Sequence, residues 1–314
     1  MLKFLTKAII FLGVIVGAIT FVYLYDLYQE IKDDIDSVVN YNPKQSTQFF
    51  DKNGKLLANT FKDENREYVN YDDIPARVIE GLVAIEDTQF FEHFGVNPDA
   101  ISRAVIKNIQ SGGYSEGAST LTQQLIKVLL LSREKKIIRK VKEALLAIRL
   151  ETVLTKEEIL ERYLNHVYFG HGYYGVKTAA KGYFKKNLYE LTLKEIAILV
   201  GLPRAPSFYD PTKNLQVSLA RANQVITRMH TLGWINNEQF EESINETPTI
   251  YNQTLTQNIA PYAIDYAVSE LVNDIPDIVE LLKSSLGESL IKKSSIVWNF
   301  KHVDNPFGFS YVLV

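Results

Sequence analysis

Three hundred and fourteen residues leave room for one large domain or two modest ones. A net charge of −3 supplies no global basic field for nucleic acid, so any basic site must be local. The absence of cysteine excludes a disulfide framework and thiolate metal sites, and it fits an extracytoplasmic setting without requiring one.

Ala8 to Tyr25 is apolar except for Thr20, a run of 18 residues. As a helix it spans roughly 27 Å, against a hydrocarbon core of about 30 Å. Lys3 and Lys7 precede it, and Asp26, Glu30, Asp33 and Asp34 follow. The positive-inside rule then places residues 1–7 in the cytoplasm and the remainder outside, with 8–25 as the transmembrane anchor. A cleaved signal peptide is the competing reading, but the bulky Phe21 to Tyr25 is a poor cleavage pattern.

Residues 26–47 read as a stalk, its Tyr28 to Val39 part short, acidic and helical. Gln48 to Leu57 reads as a hairpin, because Asn53-Gly54 supplies the positive φ angles of a tight turn. Beyond Pro75 the pattern is mainly helical. Val78, Leu82, Val83 and Ile85 lead to Glu86, which ends a buried apolar helix, and Gly112, Gly113 and Gly117 approach a helix that begins near Ser119. Thr155 to Glu158 fits a capping box ahead of the stripe Ile159, Leu160, Tyr163 and Leu164. Leu193 to Leu202 is another buried helix stopped by Pro203, and Pro206 and Pro211 bracket a rigid loop. Ala260 to Val272 has helical character, and Ser294 to Val314 reads as a strand pair or an unstructured end.

Three local patterns carry chemistry. Glu86-Asp87, behind an apolar run, caps or salt-bridges a helix end in the bland reading. A partly desolvated carboxylate there is also suited to proton abstraction near neutral pH. His93, further along the same run, reads as a positioning group. Next, Gln123, Gln124 and Lys127 share a helix face after a glycine-rich turn, where free amides and the helix dipole can bind an anion, with Ser119 and Thr120 adding hydroxyls. The third is the basic run from Arg133 to Lys142, a solvated face or a lipid-headgroup contact by default.

These blocks stand in the order Glu86 to Gly95, Gly117 to Lys127, Arg139 to Glu143, Ile159 to Asn165 and Arg221 to Met229. Together they resemble the peptidoglycan glycosyltransferases, the glycan-polymerising module of bifunctional penicillin-binding proteins and their monofunctional relatives. The resemblance implies a mainly α, lysozyme-like fold of two lobes around a long cleft over residues 48–246, with one N-terminal transmembrane helix in a bacterial plasma membrane. It also implies an apolar lobe around Ile101 to Leu131 that dips into the outer leaflet. Glu86 is then the catalytic base toward the acceptor's 4-hydroxyl, supported by Asp87. Glu143 is the second functional carboxylate, which organises the cations or a divalent ion such as Mg²⁺ or Mn²⁺. Ser119, Thr120, Gln123, Gln124, Lys127, Arg139 and Lys140 line the donor site near the sugar pyrophosphate. Many relatives carry Asn after the lysine, where this chain has Val128. Glu161, Tyr163, Asn165, Arg221, Val225 and Met229 are expected to be architectural.

The implied partners are lipid II, the growing glycan chain, the bilayer and other cell-wall synthesis or division proteins, with no nucleic acid. Residues 247–314 are expected to form a linker and tail that stops where a transpeptidase domain would follow. The chain would then be an N-terminal part of a bifunctional synthase without transpeptidase activity. Ser132 to Lys135 and Ser289 to Lys292 match the Ser-x-x-Lys pattern of serine acyl-transferases by letters only, since no Lys-Thr-Gly exists. The rival readings are a membrane-tethered peptidoglycan-cleaving enzyme of lysozyme-like fold and an inactive scaffold.

Overall fold

The computed structural model describes residues 2–32, 34–40, 47–50, 56–60, 65–113, 117–130, 136–252, 266 and 310–312. In chain order the elements are α1 (Leu2–Ile31), α2 (Asp34–Val39), β1 (Thr47–Phe50), β2 (Leu56–Thr60), β3 (Asn65–Arg66), α3 (Ala76–Glu86), α4 (Pro98–Ser111), α5 (Leu121–Leu129) and α6 (Lys136–Leu150). There follow α7 (Lys156–His166), β4 (Tyr173–Tyr174), α8 (Val176–Phe184), α9 (Leu193–Gly201), α10 (Pro206–Tyr209), α11 (Leu215–Thr231), α12 (Asn237–Asn245) and β5 (Ser310–Val312). The expected mainly α class holds. The chain forms two compact units, one of Met1–Tyr41 and Gln89–Ile159, the other of Asn42–Thr88 and Leu160–Val314.

In the first unit, α1 is long and apolar enough over Ile10–Ile31 to cross a bilayer. Large apolar side chains from Ile10 to Tyr25 are exposed, as expected of a helix meant to meet lipid rather than a protein core. Residues 26–31 and 34–39 are helical, and this stalk segment packs on the unit. Leu27, Ile31, Ile35 and Val38 recur at helical spacing and are buried, α1 and α2 both touch α6, and Lys142 Nζ donates to Glu30 Oε1 at 3.2 Å. An apolar stripe has pulled this segment onto the unit.

Helix α5 packs on α6, with Leu121, Leu125, Ile126, Leu146, Ala147 and Leu150 all buried. Its start is fixed by a capping box in which Gln123 N donates to Thr120 Oγ1 at 3.1 Å and Thr120 N to Gln123 Oε1 at 3.0 Å. Thr120 Oγ1 also donates to Gly95 O at 2.6 Å. Gly95 itself has φ +79°, and a Cβ there would stand 2.5 Å from the Ala147 carbonyl. Only glycine allows that close approach. Helix α7 opens with the expected capping box, Thr155 N to Glu158 Oε2 at 2.7 Å and Glu158 N to Thr155 Oγ1 at 3.2 Å.

The core of the second unit is α3, α9 and α11 in mutual contact. Val78, Leu82, Leu199, Val200, Val225, Ile226 and Met229 are buried there. Gly81 brings α9 close, since a Cβ on it would meet Val200 Cγ2 at 3.3 Å. The expected rigid loop after Pro203 contains a single helical turn, α10, with Pro206 in its first turn, where a missing N–H costs nothing. Asn165 pins the segment after β3. Its Oδ1 accepts from Val69 N at 2.8 Å and its Nδ2 donates to Val69 O at 2.7 Å. Glu161 accepts from Tyr68 OH and from Tyr71 N, so this block is architectural as expected. Strands β1 and β2 pair antiparallel, Thr47 opposite Thr60, as the hairpin reading requires, and β5 adds to β1. The Asn53-Gly54 turn and, apart from residue 266, the helix expected over Ala260 to Val272 lie outside the described residues.

Candidate active site

The sequence-predicted residues form two groups, one in each unit. In the second unit, Glu86 is the last residue of α3, held there by the apolar face that buries Val78, Leu82 and Val83. Its carboxylate is 10% exposed, and Arg221 Nη2 of α11 donates to Glu86 Oε1 at 3.0 Å. Asp87 is buried and closes the last turn through its backbone, N–H to Val83 O at 3.1 Å. Tyr163, buried in α7, has a hydroxyl pKa raised well above the usual value, first by burial and then by the negative charge of Glu86. Burial lowers the pKa of the Arg221 guanidinium, while Glu86 acts in the opposite sense. A charged pair thus sits at the end of an apolar helix.

In the first unit, Glu143 lies on α6 and is fully buried, with 0% of its side chain exposed. Lys140 Nζ donates to Glu143 Oε2 and to Ser119 Oγ, the latter at 2.9 Å. Arg139 Nε approaches Glu143 Oε1 at 3.2 Å, near enough for charge attraction but not aligned for a hydrogen bond. Both cations keep solvent access, Arg139 at 24% and Lys140 at 47%. Residues at i−4 and i−3 on one helix face therefore share one buried anion and present positive charge outward, beside a half-buried hydroxyl.

The rest of the donor-site set divides. Lys127 is exposed and Gln124 half-buried on α5. Thr120 and Gln123 are buried and spend their side chains on the capping box described above. The helix start expected to bind an anion has thus satisfied one of its free amides with its own threonine. His93 is buried, its ring edge-on to Phe90, and its carbonyl accepts from Lys156 Nζ at 2.7 Å. His166 is held neutral, its pKa pushed down to about 4 by burial and then by Arg66.

The side chains around Glu143 do not fit a resident divalent ion. One oxygen faces Lys140 and the other Arg139, and among the described residues no group of three or more His, Asp or Glu could hold a metal. Hard cations require several oxygen ligands, and those of Glu143 already face Lys140 and Arg139.

In the block read mainly as packing, Arg221 and Arg228 are the doubtful cases, and Arg221 carries the ion pair to Glu86. The available signal was a charged residue heading a buried i, i+4, i+8 stripe, because a buried charge demands a counter-charge.

A sequence model of the Transglycosylase family matches residues 53–230, more than half of the chain. Penicillin-binding protein 1A of Aquifex aeolicus is 39% identical over 269 residues, covering 85% of this chain and 37% of the relative. That of Escherichia coli is 39% identical over 254 residues, covering 80% and 30%. The chain spans about a third of the length of these curated relatives. A crystal structure of penicillin-binding protein 1A from Haemophilus influenzae overlays on 78% of this chain and 26% of its own, with 25% identity and a TM-score of 0.42, too loose to carry weight. The matched range contains every motif from Glu86 to Met229, and this chain belongs to the transglycosylase family, the peptidoglycan glycosyltransferases.

Proposed function

We propose that this chain polymerises lipid II into glycan strands, with α1 as a membrane anchor whose N-terminus is cytoplasmic and whose catalytic units face outward. The orientation rests on Lys3 and Lys7 before the apolar run and acidic residues after it. Glu86 removes the proton from the acceptor's 4-hydroxyl as that oxygen attacks the anomeric carbon of the growing chain. The bond from that carbon to the pyrophosphate breaks, its electron pair leaves with undecaprenyl pyrophosphate, and the configuration inverts. Direct displacement forms no covalent enzyme intermediate, so no separate nucleophile is required. Lys140 and Arg139, assisted by Lys127, offset the negative charge that grows on the pyrophosphate.

The observation that carries this reading over strand cleavage is the Arg139–Glu143–Lys140 cluster with Ser119 beside it. A cleaving enzyme has no pyrophosphate to accommodate and no use for that cluster. Replacing Arg139 and Lys140 together by Gln is expected to slow undecaprenyl pyrophosphate release from lipid II by at least about 10²–10³-fold. Measured against preformed strands as well, the double variant separates the two activities. Strand cleavage by the parent that persists unchanged in the variant would favour the rival enzyme.

A further inference from the structure

We infer that Arg221 is a positioning residue for the base, setting the orientation and the charge state of Glu86. The inference rests on the glycosyltransferase reading above. Three contacts fix the guanidinium, which is only 5% exposed. Nη2 donates to Glu86 Oε1 at 3.0 Å, Nη1 to Gln224 Oε1 at 3.2 Å, and its central carbon lies 5.7 Å from the Tyr209 ring centroid. Its stem is accommodated by a glycine, since a Cβ on Gly201 would stand 2.9 Å from Arg221 Cγ. The fold has made room for an arginine where the neighbouring stripe positions, Val225 and Met229, are apolar.

Packing alone does not explain this choice. A buried cation is costly unless paired, and an apolar side chain would fill the space without that cost. A planar fork is what holds a carboxylate in one plane while a second partner holds the fork. Beyond geometry, a cation at this distance favours the ionised carboxylate, opposing the burial that favours the neutral acid. The base form is thereby kept populated at lower pH. Among the described residues, other charged or titratable groups toward this end of α3 include Arg228 of α11, which donates to Thr88 Oγ1 at 3.2 Å, Tyr163 of α7, Tyr209 of α10, and Asp87 next in the chain. Arg204 acts on Arg221. The charged residues of α9 are engaged elsewhere, Lys194 with Asn223 and Glu195 with Lys186.

The test is the pH dependence of kcat/KM for lipid II polymerisation by the full chain, compared with Arg221→Gln and Arg221→Lys. A general base loses activity as pH falls through its pKa. Removing the cation is expected to move that acid limb upward by about 1–3 pH units in Arg221→Gln. The lysine keeps the charge but not the fork, so Arg221→Lys is expected to retain the parent's limb to within about one unit while kcat falls and KM holds. Unfolding midpoints of both variants accompany the profiles, and if Arg221→Gln fails to fold, the kcat loss at constant KM in Arg221→Lys carries the test. An unmoved acid limb in a folded, active Arg221→Gln, or an Arg221→Lys variant with the parent's kcat, overturns the inference alone. No glycan from the parent would overturn the glycosyltransferase reading and this inference with it.

Discussion

Glu86→Gln is expected to lower the rate of glycan polymerisation by about 10²–10⁴-fold, the usual contribution of a positioned general base. The amide keeps the shape of the side chain and can still accept from Arg221, but it cannot take a proton from the acceptor hydroxyl. The substitution also strips Arg221 of its counter-charge in a place where the guanidinium is 5% exposed, so some loss of stability is expected with it. Initial rates must therefore be compared at a temperature where both proteins are folded, as judged by circular dichroism. KM for lipid II is expected to move little, because the 4-hydroxyl proton matters in the transition state rather than in the ground-state complex. A variant that keeps the parent's rate would take the base role away from Glu86 while leaving the family assignment untouched.

The second large effect is expected at Glu143. Truncation to Ala leaves Arg139 and Lys140 side by side without the anion that gathers them, and frees Lys140 to move away from Ser119. Removing one partner of a buried ion pair costs about 3–5 kcal/mol, and the lower end applies because both cations retain solvent. Undecaprenyl pyrophosphate release is expected to fall by about 10²–10³-fold, as when a preorganised stabiliser of developing charge is lost. Glu143→Met separates the two consequences. An apolar residue of similar volume restores packing and much of the stability, while the cations stay dispersed and the rate stays low. A Glu143→Met variant with full activity would reduce the carboxylate to a packing element.

The sequence carried the local grammar of this fold well. Apolar periodicity located the helix that ends at Glu86, and Thr155 with Glu158 announced the start of α7. The same spacing stands at Thr120 and Gln123, whose side chains close a capping box at the start of α5. The stripe Leu27, Ile31, Ile35 and Val38 lies in a segment read as an acidic, helical stalk, and it is buried.

What could not be read locally was pairing over distance. Arg221 and Glu86 are separated by 135 residues, and nothing in the spacing of either one names the other. By contrast, Arg139, Lys140 and Glu143 share one helix within four residues, so their grouping follows from helical geometry once α6 is placed. Local pairs are legible from a sequence, whereas tertiary ones require the packing of α3 against α11 to be known.

Polymerisation by this chain can be measured by supplying labelled lipid II to the membrane-reconstituted chain of residues 1–314 and following product length together with undecaprenyl pyrophosphate. Strands are expected to lengthen with time, each new glycosidic bond matched by one released pyrophosphate carrier. Unconsumed lipid II with a folded, inserted protein, or shortened strands without carrier release, would contradict that expectation.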